Sequence, residues 1–113
     1  ALYEEGITSY LFIEGSYNKR LQNLAEMPEK SLVCHFDQTE MGPVKEILSD
    51  KYIIAGNVPA SLMATGTTDE VRAYCGNLMD LFGDAPGYIM AHGCYFENTT
   101  DEKMRAFIES VKR

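Results

Sequence analysis

Two histidines and a few carboxylates are the side chains of this sequence best suited to chemistry. His92-Gly93-Cys94 places an imidazole and a thiol beside a glycine that lets the backbone approach closely. Glu14 ends an apolar run, where a carboxylate must face solvent, a cation or a metal. Imidazoles and carboxylates transfer protons, and zinc accepts Cys, His and carboxylate ligands. These residues indicate acid–base chemistry or a metal site, although two dispersed ligands do not make a metal motif.

The elements that must position these groups alternate between apolar runs and amphipathic stretches. The runs predict strands at Ile7–Ile13, Ser31–Phe36, Tyr52–Ala55 and Gly87–Ala91. The amphipathic stretches predict helices at Tyr17–Met27, Met41–Leu48, Thr68–Phe82 and Thr100–Val111. Near-continuous apolar strands that alternate with helices are typical of a parallel sheet. The sequence therefore predicts an α/β fold of parallel βα repeats, either a small open sheet or half of an eight-unit barrel.

In either architecture, functional groups gather at the carboxyl edge of the sheet. The polar residues at or just after the carboxyl ends of the predicted strands are Glu14, Ser16, His35, Asp37, Glu40, Asn57, His92, Cys94, Tyr95 and Glu97. Some of them have structural explanations, since Asp37 and Glu40 precede a helix that an acid can cap. Cys34 is expected in the core, and His35 then points to the opposite face. Both a functional role and a satisfied structural role remain open for His35.

Length and charge narrow the classes of protein. The chain has 113 residues, enough for one domain, and 17 Asp+Glu against 10 Lys+Arg give a net charge of −7. An acidic domain is a poor partner for nucleic acid, and no apolar run is long enough to span a membrane. Three cysteines cannot all pair, which favours free thiols in the cytoplasm. Because the chain lacks an initiator Met, we expect it to be a piece of a longer protein.

One block of the sequence carries a family resemblance. Gly56-Asn57-Val58-Pro59, then Leu62, then Gly66-Thr67 with Glu70-Val71, resembles the strand end, short helix and helix start of the uroporphyrinogen decarboxylase superfamily. The resemblance implies a TIM (β/α)8 barrel, of which residues 1–113 would be a single C-terminal half-barrel fragment that contains strands five to eight. It also implies one of two activities, which are the decarboxylation of the haem pathway and the transfer of a methyl group from a corrinoid protein.

Details of the resemblance point to a branch. The zinc-dependent methyltransferases of the superfamily carry a His-x-Cys pair after strand five, where this chain has Phe12 and Glu14. Cys94 lies close to their third zinc ligand, while the stretch Glu14–Leu21 resembles members that lack the thiol-activating pair. His92-Gly93 resembles decarboxylases, whose histidine contacts substrate. The resemblance thus implies a methyltransferase with a corrinoid (cobalamin) and a pterin such as tetrahydrofolate, and we expect no stoichiometric zinc.

This reading assigns roles that the structure can locate. The expected catalytic groups are Glu14, His35 and His92, the expected substrate-binding groups are Asn57, Asp37 and Tyr95, and the expected residual metal ligand is Cys94. The alternatives are a tetrapyrrole decarboxylase and a non-catalytic half-barrel that serves as an interaction module. The expected partners are the N-terminal half of the barrel or a second copy, and a corrinoid protein. The segment alone is expected to have no turnover.

Overall fold

A sheet of four strands, flanked by helices, forms the described part of the chain. The computed structural model describes residues 3–93, 96 and 98–112. Its strands are β1 (Ser9–Ile13), β2 (Leu32–Phe36), β3 (Ile53–Ala55) and β4 (Tyr88–Ile89). Its helices are α1 (Leu21–Leu24), α2 (Met41–Leu48), α3 (Ala60–Thr65), α4 (Thr68–Phe82) and α5 (Asp101–Glu109), and a short 3-10 turn at Tyr3–Glu5 precedes β1. None of the helices in these residues is long and apolar enough to cross a bilayer.

The strands lie in chain order β1-β2-β3-β4, and every neighbouring pair is parallel. This arrangement confirms the predicted α/β fold with parallel βα repeats. One row across the sheet joins Phe12, His35, Ala55 and Ile89 as register partners. The sheet is consistent with part of a TIM barrel. That these strands are the fifth to eighth of a barrel stays a prediction.

Two of the four predicted helices have the predicted bounds, and the other two differ from them. The bounds of α2 and α4 are those predicted, and α5 is shorter than its prediction by one residue at its start and two at its end. The helix predicted at Tyr17–Met27 is wrong in extent, because only Leu21–Leu24 is helical. The backbone N–H of Tyr17 donates to Thr39 Oγ1 at 2.8 Å, and that of Arg20 donates to the Tyr17 carbonyl at 2.9 Å. These bonds hold the first residues of the segment in a loop.

A second difference concerns the number of helices. The described residues contain five α-helices, whereas amphipathic periodicity predicted four. The additional helix is α3, which is only 6 residues long. A helix of that length is too short to show a clear period. The start of α4 is defined by a capping box, in which Thr67 Oγ1 accepts from the Glu70 N–H and the Glu70 carboxylate accepts from the Thr67 N–H.

The two faces of the sheet differ in burial. On the face that meets the helices, Cys34, Phe36 and Ile54 are fully buried, which confirms that Cys34 is a core residue. They pack with Val44, Leu48, Met63, Val71, Cys75, Leu78 and Phe82 from α2, α3 and α4. On the other face, hereafter the open face, the large apolar side chains are 41–59% exposed: Tyr10, Phe12, Ile53 and Ile89. Apolar burial therefore stabilises the chain from one side of the sheet.

A matched pair of phenylalanines tests this asymmetry. Phe36→Ala should lower the free energy of unfolding by about 4 kcal/mol, because it leaves a cavity in the helix-covered core. Phe12→Ala should cost only about 1 kcal/mol, since nearly half of that side chain remains exposed. Urea unfolding of both variants measures the difference. Equal losses would contradict an open face and show that something covers Phe12 in solution.

The buried thiol of Cys34 makes stability depend on alkaline pH. Burial raises the pKa of this thiol from 9.0 to about 12. A raised pKa means that the thiol's contribution is complete below the unfolded-state pKa and is lost as pH rises towards the folded-state value. Between about pH 8 and about pH 10, wild type should lose about 1 kcal/mol of unfolding free energy from this group. Cys34→Ala, itself less stable at both pH values, should lack this additional fall; an unchanged slope in urea titrations would refute the assignment.

Candidate active site

His35 lies at the centre of the open face and has both ring nitrogens engaged. Only 6% of the residue is exposed. Nε2 lies 2.6 Å from the carbonyl oxygen of His92, and Nδ1 lies 2.8 Å from the hydroxyl of Tyr10. A carbonyl oxygen only accepts, so Nε2 of the neutral imidazole must carry the proton. Nδ1 then has a lone pair, and the Tyr10 hydroxyl donates to it.

Aromatic rings surround this imidazole. Phe12 and Tyr10 present edge-on contacts to the His35 ring, with centroids 5.1 and 5.8 Å away. The ring of His92 lies 5.4 Å from that of His35, and Phe96 packs against His92 at 5.4 Å. We call Tyr10, Phe12, His35, His92 and Phe96 the histidine cluster. The structure thus brings together the two histidines that the sequence placed at one sheet edge.

Asp37 joins the loops that follow three strands. Its Oδ2 accepts from the N–H of Gly15 at 2.9 Å, and its N–H donates to the Ile13 carbonyl at 3.2 Å. Gly93 packs directly against it, because a Cβ at that position would lie 2.9 Å from both the carbonyl oxygen and Oδ1 of Asp37. Only a residue without a side chain fits this approach without displacing Asp37. The carboxylate therefore links the loops after β1 and β2, and the loop after β4 packs against Asp37.

Asn57 is hydrogen-bonded to the backbone of the same rim. Its Nδ2 donates to the carbonyls of Asp37 at 2.9 Å and Thr39 at 2.7 Å, and its Oδ1 accepts from the Tyr74 hydroxyl at 2.8 Å. The residue is 3% exposed. Burial raises the pKa of Tyr74, which keeps the hydroxyl a donor over a wider range of pH. Both N–H groups of the amide are already hydrogen-bonded, and one lone pair of Oδ1 is left to accept a further bond. Substrate binding by Asn57 stays a prediction.

A cleft of about 610 Å³ opens at this rim. The residues that line it are Glu14, Asp37, Gln38, Thr39, Glu40, Met41, Asn57, Pro59, Ala60, Ser61 and Tyr74. Three of these residues are acidic, and the described lining includes no Lys or Arg. Of the expected site residues, Glu14, Asp37 and Asn57 meet here, with Glu14 exposed at its lip. His35 and His92 belong to the histidine cluster instead and do not line the cleft.

The described residues do not fit a zinc centre. Among residues 3–93, 96 and 98–112, no group of three or more His, Cys, Asp and Glu side chains is placed to hold a metal. Phe12 has no donor atom, and both nitrogens of His35 have hydrogen-bond partners. Cys94 and Tyr95 lie outside the described residues, so their expected roles stay predictions.

Sequence reasoning did not find several residues that shape the site. Tyr10, Thr39 and Tyr74 each bond a rim or cluster residue, and none was singled out. The alternation of β1 places Tyr10 on the same face as Phe12, which is a readable signal. Phe12 lies opposite His35 because of the register in which β1 pairs with β2. This register could not be predicted from the sequence.

With this geometry in place, comparison with known families gives one match. The family model described as Uroporphyrinogen decarboxylase (URO-D) matches residues 1–113, the full length of the sequence. This match confirms the resemblance seen in the block Gly56–Val71. No curated protein matches the chain.

The amide of Asn57 offers a test of how the rim is held. Asn57→Leu should lower the free energy of unfolding by about 3 kcal/mol, because two buried carbonyls and the Tyr74 hydroxyl lose their partners. Asn77→Leu, at an exposed position of α4, is the matched control and should change it by less than about 0.5 kcal/mol. Urea unfolding measures both. Similar small losses in the two variants would show that the amide does not hold the rim.

Proposed function

Since the chain belongs to the uroporphyrinogen decarboxylase (URO-D) family, we propose that it takes part in methyl transfer between a corrinoid and a pterin or similar acceptor. The observation that carries this proposal is the acidic cleft at the carboxyl edge of the sheet. Glu14, Asp37 and Glu40 all line it. Tetrapyrrole decarboxylation, the rival activity in this family, acts on a substrate that carries several carboxylates.

Electrostatics favours the first activity. The acidic residues of the cleft would repel the carboxylates of a tetrapyrrole, and this repulsion makes the free energy of binding less favourable. The net charge of −7 on the chain acts in the same direction. The basic residues Lys19 and Arg20 line a separate pocket with Ser16, Tyr17 and Asn18. A polycarboxylate would therefore meet repulsion at this rim, whereas a pterin ring or an uncharged corrinoid face would not.

The acceptor follows from the chemistry that the chain offers. A thiol acceptor needs activation as a thiolate, which a metal or a cationic neighbour usually supplies. The position of the family's His-x-Cys pair holds Phe12 and Glu14, and the described residues form no metal group. A pterin nitrogen instead needs acid–base assistance, for which Glu14, His35 and His92 are suitable types. We therefore place a pterin-like acceptor ahead of a thiol.

The proposal includes a partner for the open face. Within the described sheet, β1 and β4 are edge strands, and the open face exposes Tyr10, Phe12, Ile53 and Ile89. Four further βα units, from an upstream half of the same enzyme or from a second copy, would pair both edges and enclose the open face as part of the inner wall of a barrel. A corrinoid protein would then present the methyl group at the rim.

Binding measurements on the 113-residue chain test the proposed substrate class. We compare 6-methyltetrahydropterin and methylcobalamin with uroporphyrin, a tetrapyrrole polycarboxylate, by titration calorimetry at low salt. The tetrahydropterin should bind at least about tenfold more tightly than uroporphyrin, because only the latter brings carboxylates to the acidic cleft.

A charge variant separates this effect from general surface repulsion. Glu14→Gln together with Glu40→Gln should bring uroporphyrin binding several-fold closer to that of the pterin. Glu102→Gln together with Glu109→Gln, which change the same charge on α5, should have much less effect because they lie outside the cleft lining. Tighter binding of uroporphyrin than of the pterin by wild type would overturn methyl transfer in favour of decarboxylation.

A further inference from the structure

Tyr10 is the most exposed member of the histidine cluster. It is 59% exposed on the open face, while His35 beneath it is 6% exposed. A group so buried has little surface with which to meet a substrate. The hydroxyl of Tyr10 connects the two, since it lies 2.8 Å from His35 Nδ1. A molecule bound on the open face can therefore interact with His35 through this phenol.

The direction of the hydrogen bonds determines what the pair can do. In the neutral imidazole Nε2–H donates to the His92 carbonyl, so Nδ1 carries a lone pair that faces the Tyr10 hydroxyl. A hydroxyl that donates to a neighbouring base becomes a better proton acceptor and nucleophile at its oxygen. The rings of Phe12 and His92 pack on His35 and limit its rotation away from Tyr10. The geometry thus holds a base behind an exposed phenol.

We propose that Tyr10 is a catalytic acid–base residue of this site and that His35 is the buried base that receives its proton. The ligand class is a molecule that is bound on the open face and has an N–H or O–H group whose proton is lost as that nitrogen or oxygen reacts. This proposal rests on the proposed function, in which the ligand is the methyl acceptor. Its nitrogen lone pair forms the bond to the methyl group, and the electron pair of the broken donor–methyl bond stays with the corrinoid donor.

The proton balance of that step uses only the two side chains. The acceptor's proton passes to the Tyr10 oxygen, and the Tyr10 proton passes to Nδ1 of His35. The resulting imidazolium keeps its Nε2–H bond to the His92 carbonyl, an acceptor that remains suitable when the ring is charged. The pair returns to its starting state when the proton leaves to solvent through Tyr10.

A test that needs no turnover uses p-nitrophenyl acetate as the probe. The Tyr10 oxygen attacks the acetyl carbon, p-nitrophenolate leaves, and the phenol proton goes to His35. Acetylation of each tyrosine is followed by peptide mass spectrometry in the 113-residue chain. The reference is a synthetic peptide of residues 7–14, which holds the same tyrosine fully exposed and without a base. Tyr10 in the folded chain should react about tenfold faster than in the peptide.

Exposure alone cannot produce this result, because no residue in a fold is more accessible than in a free peptide. His35→Gln should reduce the Tyr10 rate to the peptide value or below, with circular dichroism to check that the variant folds. Tyr17, which has a half-buried side chain, should react no faster in the folded chain than in its own peptide. A Tyr10 rate at or below that of the peptide in wild type overturns the proposal, whatever the binding measurements show about methyl transfer.

Discussion

The parallel register of the four strands is the constraint on which the site depends. It sets Phe12, His35, Ala55 and Ile89 in one row across the sheet, on the face away from the helices. Side chains alternate along a strand, so a slip of one residue in β2 would turn His35 into the helix-covered core and bring Cys34 out. The fully buried residues of β2, Cys34 and Phe36, oppose such a slip because both would lose their packing.

Hydrogen bonding then converts this placement into a fixed local chemistry. His35 links β1 to the residues after β4 through Tyr10 and the His92 carbonyl, and Asn57 links the end of β3 to the loop after β2. Buried polar groups are costly unless they are paired, which is why each of these side chains bonds elements that are distant in sequence. The acidic cleft lies at the same edge of the sheet, beside this framework.

The parts predicted from sequence are those with strong local signals. Four parallel strands in chain order follow from the alternation of apolar runs with helices, and the bounds of α4 follow from Thr67, Glu70 and its amphipathic period. The extent of α1 did not follow, because the loop bond from Tyr17 to Thr39 overrides local propensity. The grouping of polar residues at one edge was predictable, since the carboxyl ends of parallel strands lie at the same edge of a sheet. Their division into a histidine cluster and a cleft depends on register and on side-chain bonds, which one sequence does not reveal.

The proposed site depends on the two hydrogen bonds that join His35 Nδ1 to the Tyr10 hydroxyl and His35 Nε2 to the His92 carbonyl. Because the sequence contains two histidines, long-range proton–nitrogen correlation spectra of histidine-labelled protein are simple to assign with a His92→Asn variant. At about pH 8, the His35 ring should show a protonated Nε2 and an unprotonated Nδ1, and Tyr10→Phe should shift the Nδ1 signal. A ring with a protonated Nδ1 and an unprotonated Nε2, or one that is indifferent to Tyr10→Phe, would contradict the account.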